Sequence, residues 1–153
     1  MANDPVLGML GLARRAGKLA AGDELVKELC AAGKARAVFL AGDAGASAAK
    51  RAAGYAERAR VPLFTLPQDK ETLGAAIGRA QSAVCAVSDI GMAAATAAKL
   101  AAADGTYAEA AAQLAQKNTR IQFRKGKKKK SALSGADKPN KQNITTEVSA
   151  NGD

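Results

Sequence analysis

The 153-residue chain contains no histidine and no tryptophan, two cysteines, four prolines and only 3% aromatic residues. Without an imidazole it lacks the usual general base, the Ser-His and Cys-His pairings of nucleophilic catalysis and the commonest zinc ligand, so an enzyme is a poor reading of it. Cys30 falls in a helical pattern and Cys85 in an apolar run, with no CxxC spacing between them. Buried free thiols in a reducing compartment are therefore expected, rather than a disulfide or a nucleophile. No leader of secretory type opens the chain, and no apolar run approaches membrane-spanning length. The expected location is cytoplasmic, with no membrane partner.

Much of the 48% hydrophobic content is alanine. Close helix packing must then replace large core side chains, in one domain or one domain with a tail. Charge is unevenly spread. Residues 1–116 carry 13 Lys and Arg against 11 Asp and Glu, a net of +2; residues 117–153 carry 10 against 3, a net of +7. A polyanion is the natural partner of such a basic end. Nucleic acid is preferred to an anionic membrane, because no basic amphipathic helix rich in Trp, Phe or Leu accompanies it.

Along the chain, Asp4-Pro5 starts a helix in which Val6, Leu7, Leu10 and Ala13 recur at helical spacing before the stop at Gly17. Leu19 to Ala21 reads as a short strand, followed by a helix with Leu25, Val26 and Leu29 on its inner side, ending near Gly33. Ala37 to Ala41 is a strand buried on both faces, and Ser47 caps a helix over Ala48 to Arg60. Val61 to Leu66 is a strand with Pro62 near its start, as suits an early or edge position. Asp69 caps a helix through Leu73 and Ile77, a loop covers Gly78 to Ser82, Ala83 to Val87 is a fourth strand, and Ser88-Asp89 opens an alanine-rich helix to Ala103. Alternating strands and helices imply an α/β sandwich of about a hundred residues. Thr106-Tyr107-Ala108-Glu109 matches a capping box and predicts a further helix to about Lys117. Order is then expected to fade through the Arg124 to Lys130 block and into a polar tail with few large apolar residues.

The corner Gly17 to Lys27 organises these elements. Asp23 is a suitable N-cap, Glu24 lies in the first turn, and Lys27 falls one turn later with Lys18 entering from the strand. The corner would expose two carboxylates, which accept from base N–H groups, between two ammonium groups that hold phosphates. The same spacing also fits an ordinary capped helix with a Glu-Lys pair. Other motifs fail. Gly11 and Gly17-Lys18 have P-loop character, but five residues separate the glycines and Leu19 replaces the magnesium-binding Ser or Thr. No G-x-G-x-x-G occurs, and no metal or nucleophile partner accompanies Asp23 and Glu24. In the basic block, Arg124, Lys125, Lys127, Lys128, Lys129 and Lys130 would release counterions on meeting a polyanion, which adds affinity without selectivity.

Leu10-Gly11-Leu12-Ala13-Arg14-Arg15-Ala16-Gly17-Lys18, Gly22-Asp23-Glu24-x-x-Lys27, Val38-Phe39-Leu40-Ala41-x-Asp43-Ala44, Val61-Pro62, Leu73-Gly74-x-x-Ile77-Gly78 and Val87-Ser88-Asp89-x-Gly91 together resemble the ribosomal protein L7Ae/L30e family, the nearest branch being the bacterial YlxQ type. The likeness covers about residues 5–100. It implies an α-β-α sandwich that binds kink-turns, sharply bent RNA elements in which a bulge adjoins sheared G·A pairs. It further implies that Gly22 allows close approach, that Asp23 and Glu24 face guanines, and that Lys27 and Lys18 contact backbone. The loop Gly78, Arg79, Ala80, Gln81 and Ser82 would be the second RNA-facing loop, covering the flipped-out bulge base. Two positions depart from the family pattern. Asp23 replaces an Asn, so it accepts but cannot donate. Arg79 stands where archaeal relatives carry an apolar residue, which exchanges base-capping for stacking or a phosphate contact.

The resulting expectation is an α/β protein: a three-layer α-β-α sandwich with a central mixed four-stranded sheet and a basic, largely disordered C-terminal tail. Residues 1–103 form the RNA-binding domain, 104–130 a helical then basic extension, and 131–153 a disordered tail. Structured RNA, a kink-turn or ribosomal RNA, is the expected partner, with a protein on the ribosome as a further candidate, and no cofactor. The alternative is a protein-protein interaction module, with the alanine-rich last helix as its candidate surface.

Overall fold

Val84-Cys85-Ala86-Val87 and Ala37-Val38-Phe39-Leu40 contain no polar residue, and both lie in the middle of the sheet. A strand covered on both faces has no side that can face water, so it reads as an unbroken apolar run. A computed structural model of the chain describes the backbone of residues 4–137 and the side chains of residues 4–126. The chain divides into two units, residues 1–117 and 118–153. In the first, strands β1 (Leu19–Ala21), β2 (Ala37–Leu40), β3 (Leu63–Thr65) and β4 (Val84–Val87) form one sheet in the order β1-β4-β2-β3. β4 runs antiparallel to both β1 and β2, while β2 and β3 are parallel, so the sheet is mixed as expected. Pro62 sits just before edge strand β3. It has no N–H to offer, and its carbonyl accepts from Val38 N–H at 3.0 Å.

Helices α1 (Pro5–Arg15), α2 (Asp23–Ala31), α3 (Ala46–Ala59), α4 (Lys70–Ala76) and α5 (Ile90–Ala103) cover the sheet. Val38 and Leu40 of β2 pack on one side with Val26 and Cys30 of α2 and Ala52 and Ala56 of α3. Phe39, one residue out of phase, is also fully buried and stacks on its register partner Phe64 with ring centroids 5.3 Å apart. Ala13 of α1 and Ala93 and Ala97 of α5 have no exposed surface. Small side chains at such contacts let helices approach closely, which is how this core is filled with few aromatics. Both cysteines are free and buried, and burial pushes both thiols up, that of Cys85 to about 12, which favours the protonated form at neutral pH.

Local signals set most helix starts. Asp4 accepts from the N–H groups of Val6 (2.9 Å) and Leu7 (3.0 Å), and its second oxygen accepts from Gln68 Nε2 at 2.6 Å. Asp69 caps α4 through Thr72 N–H, and Asp89 caps α5 through Met92 N–H. Three expectations need correction. Ser47 is not the cap of α3; Gly45 is, without a side-chain bond. Leu25 is 50% exposed rather than inward, because α2 buries the Val26 and Cys30 stripe and Leu25 lies roughly 100° around the helix from Val26. The capping box at Thr106 does not form. Asp104 accepts from Thr106 N–H at 3.0 Å, and Gly105–Tyr107 becomes a 3-10 turn. Tyr107 is drawn instead to the open edge of β3, where its hydroxyl accepts from Thr65 N–H (3.1 Å), donates to Thr65 C=O (3.2 Å) and its ring meets Phe64 edge-on at 5.2 Å.

The last helix, α6 (Ala108–Asp137), continues well past the end expected near Lys117. Ala111 and Leu114 are buried in its first turns, whereas residues 118–126 bury no side chain. Arg120, Gln122, Arg124 and Lys125 are good helix formers, and propagation from the packed first turns carries the helix on through Asn118, Thr119 and Gly126. Of the tail expected to be disordered, residues 131–137 belong to this helix and residues 138–153 lie outside the described residues.

Candidate nucleic-acid interface

The corner between β1 and α2 is made by Gly22. Its φ of 95° and ψ of 156° suit a residue without a Cβ, its N–H donates to Val84 C=O at 3.0 Å, and its own C=O accepts from Val26 N–H at 3.0 Å. Gly22 is thus the N-cap of α2, and Asp23, expected in that role, is the first helical residue. Freed from capping, the Asp23 carboxylate turns to α3. Arg51 Nε donates to Oδ1 at 3.0 Å and the Tyr55 hydroxyl donates to Oδ2 at 3.0 Å. Glu24 and Lys27 project to solvent one and four residues further on, and Lys18 is exposed before β1, where its carbonyl accepts from Ser88 N–H (2.9 Å) and Oγ (3.2 Å).

The second loop is fastened to the same place. Ser82 is buried and donates through Oγ to Val84 C=O at 3.0 Å, the carbonyl that also receives Gly22 N–H. Arg79 N–H donates to Gly74 C=O at 2.7 Å and Ser82 N–H to Lys70 C=O at 3.0 Å, holding the loop onto α4. Gly78, Arg79, Ala80 and Gln81 are exposed, whereas Ser82 serves as an anchor. The Arg79 guanidinium lies over the corner glycine: a methyl group built on Gly22 would be 3.5 Å from Arg79 Nη2. Arg14, at the end of α1, covers Gly78 in the same way, with Nη1 2.7 Å from the equivalent position.

Gly22, Asp23, Glu24, Lys27 and the exposed part of the Gly78 to Ser82 loop therefore meet at one end of β1 and β4, whereas Lys18 stands at the other end of β1, bonded to Ser88 just past β4. Arg14, Arg51 and Tyr55 join the first group, and sequence reasoning did not single them out. Arg51 and Tyr55 are spaced i, i+4, which marks one helix face but not its partner. Of the basic block, Arg124 and Lys125 are exposed on α6, and the side chains of Lys127 to Lys130 lie outside the described residues. Among the described residues no group of three or more Cys, Asp or Glu could hold a metal ion, and no helix is long and apolar enough to cross a membrane.

The hydrogen bond from Arg51 holds the Asp23 carboxyl below its ordinary value of 3.8; partial burial opposes this, and the Tyr55 hydroxyl, the Arg51 charge and the Lys27 charge reinforce it. A carboxylate depressed in the folded state stabilises that state above its unfolded value and ceases to do so as pH falls through the folded one. The thermal midpoint of the protein is thus expected to exceed that of Asp23→Ala by a small margin at pH 7, since the pair is exposed, and the two are expected to converge as pH drops below 3.8. Melting curves across this range check it; a margin independent of pH would show that the pair contributes nothing through charge.

A mixed four-stranded sheet between helices, presenting a glycine corner and a second loop on one cationic edge, defines a small α/β sandwich of ribosomal-protein type. The chain belongs to the ribosomal protein L7Ae/L30e/S12e/Gadd45 family, whose pattern matches residues 4–97. It is similar to the RNA-binding protein YlxQ of Bacillus subtilis, with 34% identity over 85 residues that make up 56% of this chain and 84% of YlxQ. Among solved structures it resembles a protein of unknown function from Bacillus halodurans, with 31% identity and a TM-score of 0.60 over 64% of this chain and 98% of that one. The fold is also that of the Giardia lamblia 15.5kD RNA binding protein, at 17% identity and a TM-score of 0.53, covering 69% of this chain and 87% of the other.

Proposed function

We propose that this protein is a non-catalytic, cytoplasmic RNA-binding protein, nearest to the YlxQ branch of its family. It recognises kink-turn-like bent RNA through the Gly22 to Lys27 corner and the Gly78 to Ser82 loop. The RNA-binding character of the family supports the class of partner. The observation that carries the site is the shared Val84 carbonyl: by accepting from both Gly22 N–H and Ser82 Oγ, it makes two loops from distant parts of the chain into one surface. On that surface Glu24 is an acceptor suited to guanine N–H groups, Lys27 offers a cation to phosphate one turn further on, and Arg79 offers a flat cation to a base or a phosphate, while Lys18, at the other end of β1, would meet the backbone further along the RNA. The Arg124 to Lys130 block adds phosphate attraction of no particular sequence preference.

A titration against a kink-turn duplex and a straight duplex of equal length tests this reading. The protein is expected to prefer the bent duplex, and Glu24→Ala or Lys27→Ala to erode that preference roughly tenfold each. Equal affinity for the two duplexes would remove the claim of shape recognition. The alternative, a protein-interaction module, calls for a contiguous apolar patch. The large exposed hydrophobic residues among those described are Leu12, Leu25 and Phe123, on three different helices.

A further inference from the structure

We infer that Arg51 is a phosphate-binding residue of this interface and that Asp23 is its positioning residue rather than a reader of bases. The inference rests on the RNA-binding reading and deepens it. Both oxygens of Asp23 are already engaged, Oδ1 by Arg51 Nε and Oδ2 by the Tyr55 hydroxyl, each at 3.0 Å. Each oxygen keeps a second acceptor site, but the Arg51 and Tyr55 side chains fix the direction in which the carboxylate points, and a guanine would have to approach beside them.

The geometry of the pair is what turns it toward a ligand. Arg51 reaches Asp23 through Nε, with the Tyr55 hydroxyl close by, and its side chain remains 50% exposed. A guanidinium held through Nε keeps donors of its fork for an anion, and that fork matches two oxygens of a phosphate. Tyr55 packs against the cluster formed by α2, α3 and the sheet, so its hydroxyl fixes the carboxylate from a firm base. The carboxylate in turn limits the rotamers of Arg51. As a contribution to stability the arrangement is weak, because an ion pair with side chains 50% and 42% exposed is largely screened. As a means of aiming a cation it loses nothing by exposure.

The pairing also accounts for an acid at a surface meant for a polyanion. Asp23 alone would repel phosphate. Joined to Arg51, it contributes no net charge and places a donor fork beside Glu24 and Lys27 at the mouth of α2.

Fluorescence-anisotropy titrations of full-length protein with the kink-turn and straight duplexes, each over a series of salt concentrations, test the assignment. Arg51→Ala is expected to weaken binding about tenfold and to lower the slope of log affinity against log salt by about one. Asp23→Ala is expected to weaken binding as well, although it removes a negative charge, and the double variant to be no worse than Arg51→Ala alone. Arg51→Lys, which keeps the charge but not the fork, is expected to keep the salt slope while losing part of the affinity. Tighter binding by Asp23→Ala, or an unchanged slope in Arg51→Ala, would overturn the inference. So would a loss in Asp23→Ala confined to RNA with intact guanines and absent when inosine replaces them. If the wild-type protein binds both duplexes equally, the proposed shape recognition fails while the Arg51 slope is still read on either RNA. If it binds neither, both proposals fail.

Discussion

Gly74→Ala is expected to lower the thermal midpoint by up to about 10 °C and to weaken RNA binding more than any single change to a charged residue of the corner. A methyl group at Gly74 would lie 2.6 Å from Gln81 Cα, 2.8 Å from Gln81 N and 2.9 Å from Arg79 O. All three are backbone atoms, so no rotamer change relieves the overlap. Either α4 moves away from the loop or the loop moves away from α4, and the second course breaks the 2.7 Å bond from Arg79 N–H to Gly74 C=O and shifts Arg79 off Gly22. Overpacking of this kind costs about 1–3 kcal/mol, against the roughly 1 kcal/mol by which alanine is the better helix former. Gly54, inside α3 with nothing within 4 Å of the equivalent position, is the control, and Gly54→Ala is expected to raise the midpoint. A Gly74→Ala protein that melts and binds like the wild type would mean that the loop conformation does not matter to the interface.

The second large effect is electrostatic. Replacing Arg124, Lys125, Lys127, Lys128, Lys129 and Lys130 by Gln is expected to weaken binding to bent and straight RNA alike, leaving their ratio nearly unchanged. Gln and Lys have similar helix propensities, so α6 is expected to survive the change. Every phosphate that is no longer neutralised takes about 0.7–0.9 from the slope of log affinity against log salt, or about 4 to 5 if all six residues reach phosphates. Over the range from about 50 to 200 mM salt the wild type would then lose on the order of a thousandfold more affinity than the variant. An unchanged slope would show that the block touches no phosphate, and a changed ratio that it takes part in selection.

The sheet and most helices could be read from the chain because their causes are local. Asp4, Asp69 and Asp89 each precede the helix whose N–H groups they accept, and the two uninterrupted apolar runs became the two central strands. The errors arose where a distant partner prevailed over a near one. Asp23 has the sequence context of a cap, but Arg51 and Tyr55 lie 28 and 32 residues away and come within reach only once α2 and α3 pack together. Tyr107 likewise leaves its capping box for a strand edge formed 42 residues earlier. The far part of α6 shows a different difficulty. A stretch rich in Lys and Arg reads as too polar to pack and as helix-forming at once, and composition alone does not say which property prevails. For the candidate site, the motif spacing pointed to the corner and the loop. The carbonyl that joins them, and the arginines that overlie their glycines, depend on tertiary packing that no spacing encodes.

The close seating of the loop on Gly74 has a bearing on how binding would proceed. A surface already locked in shape gives up little freedom on meeting its ligand, so the deformation falls to the nucleic acid. If a free RNA is sharply folded only a fraction of the time, the apparent dissociation constant rises by the inverse of that fraction. Magnesium, or any other agent that favours the hinged form, would then strengthen the complex without touching the polypeptide.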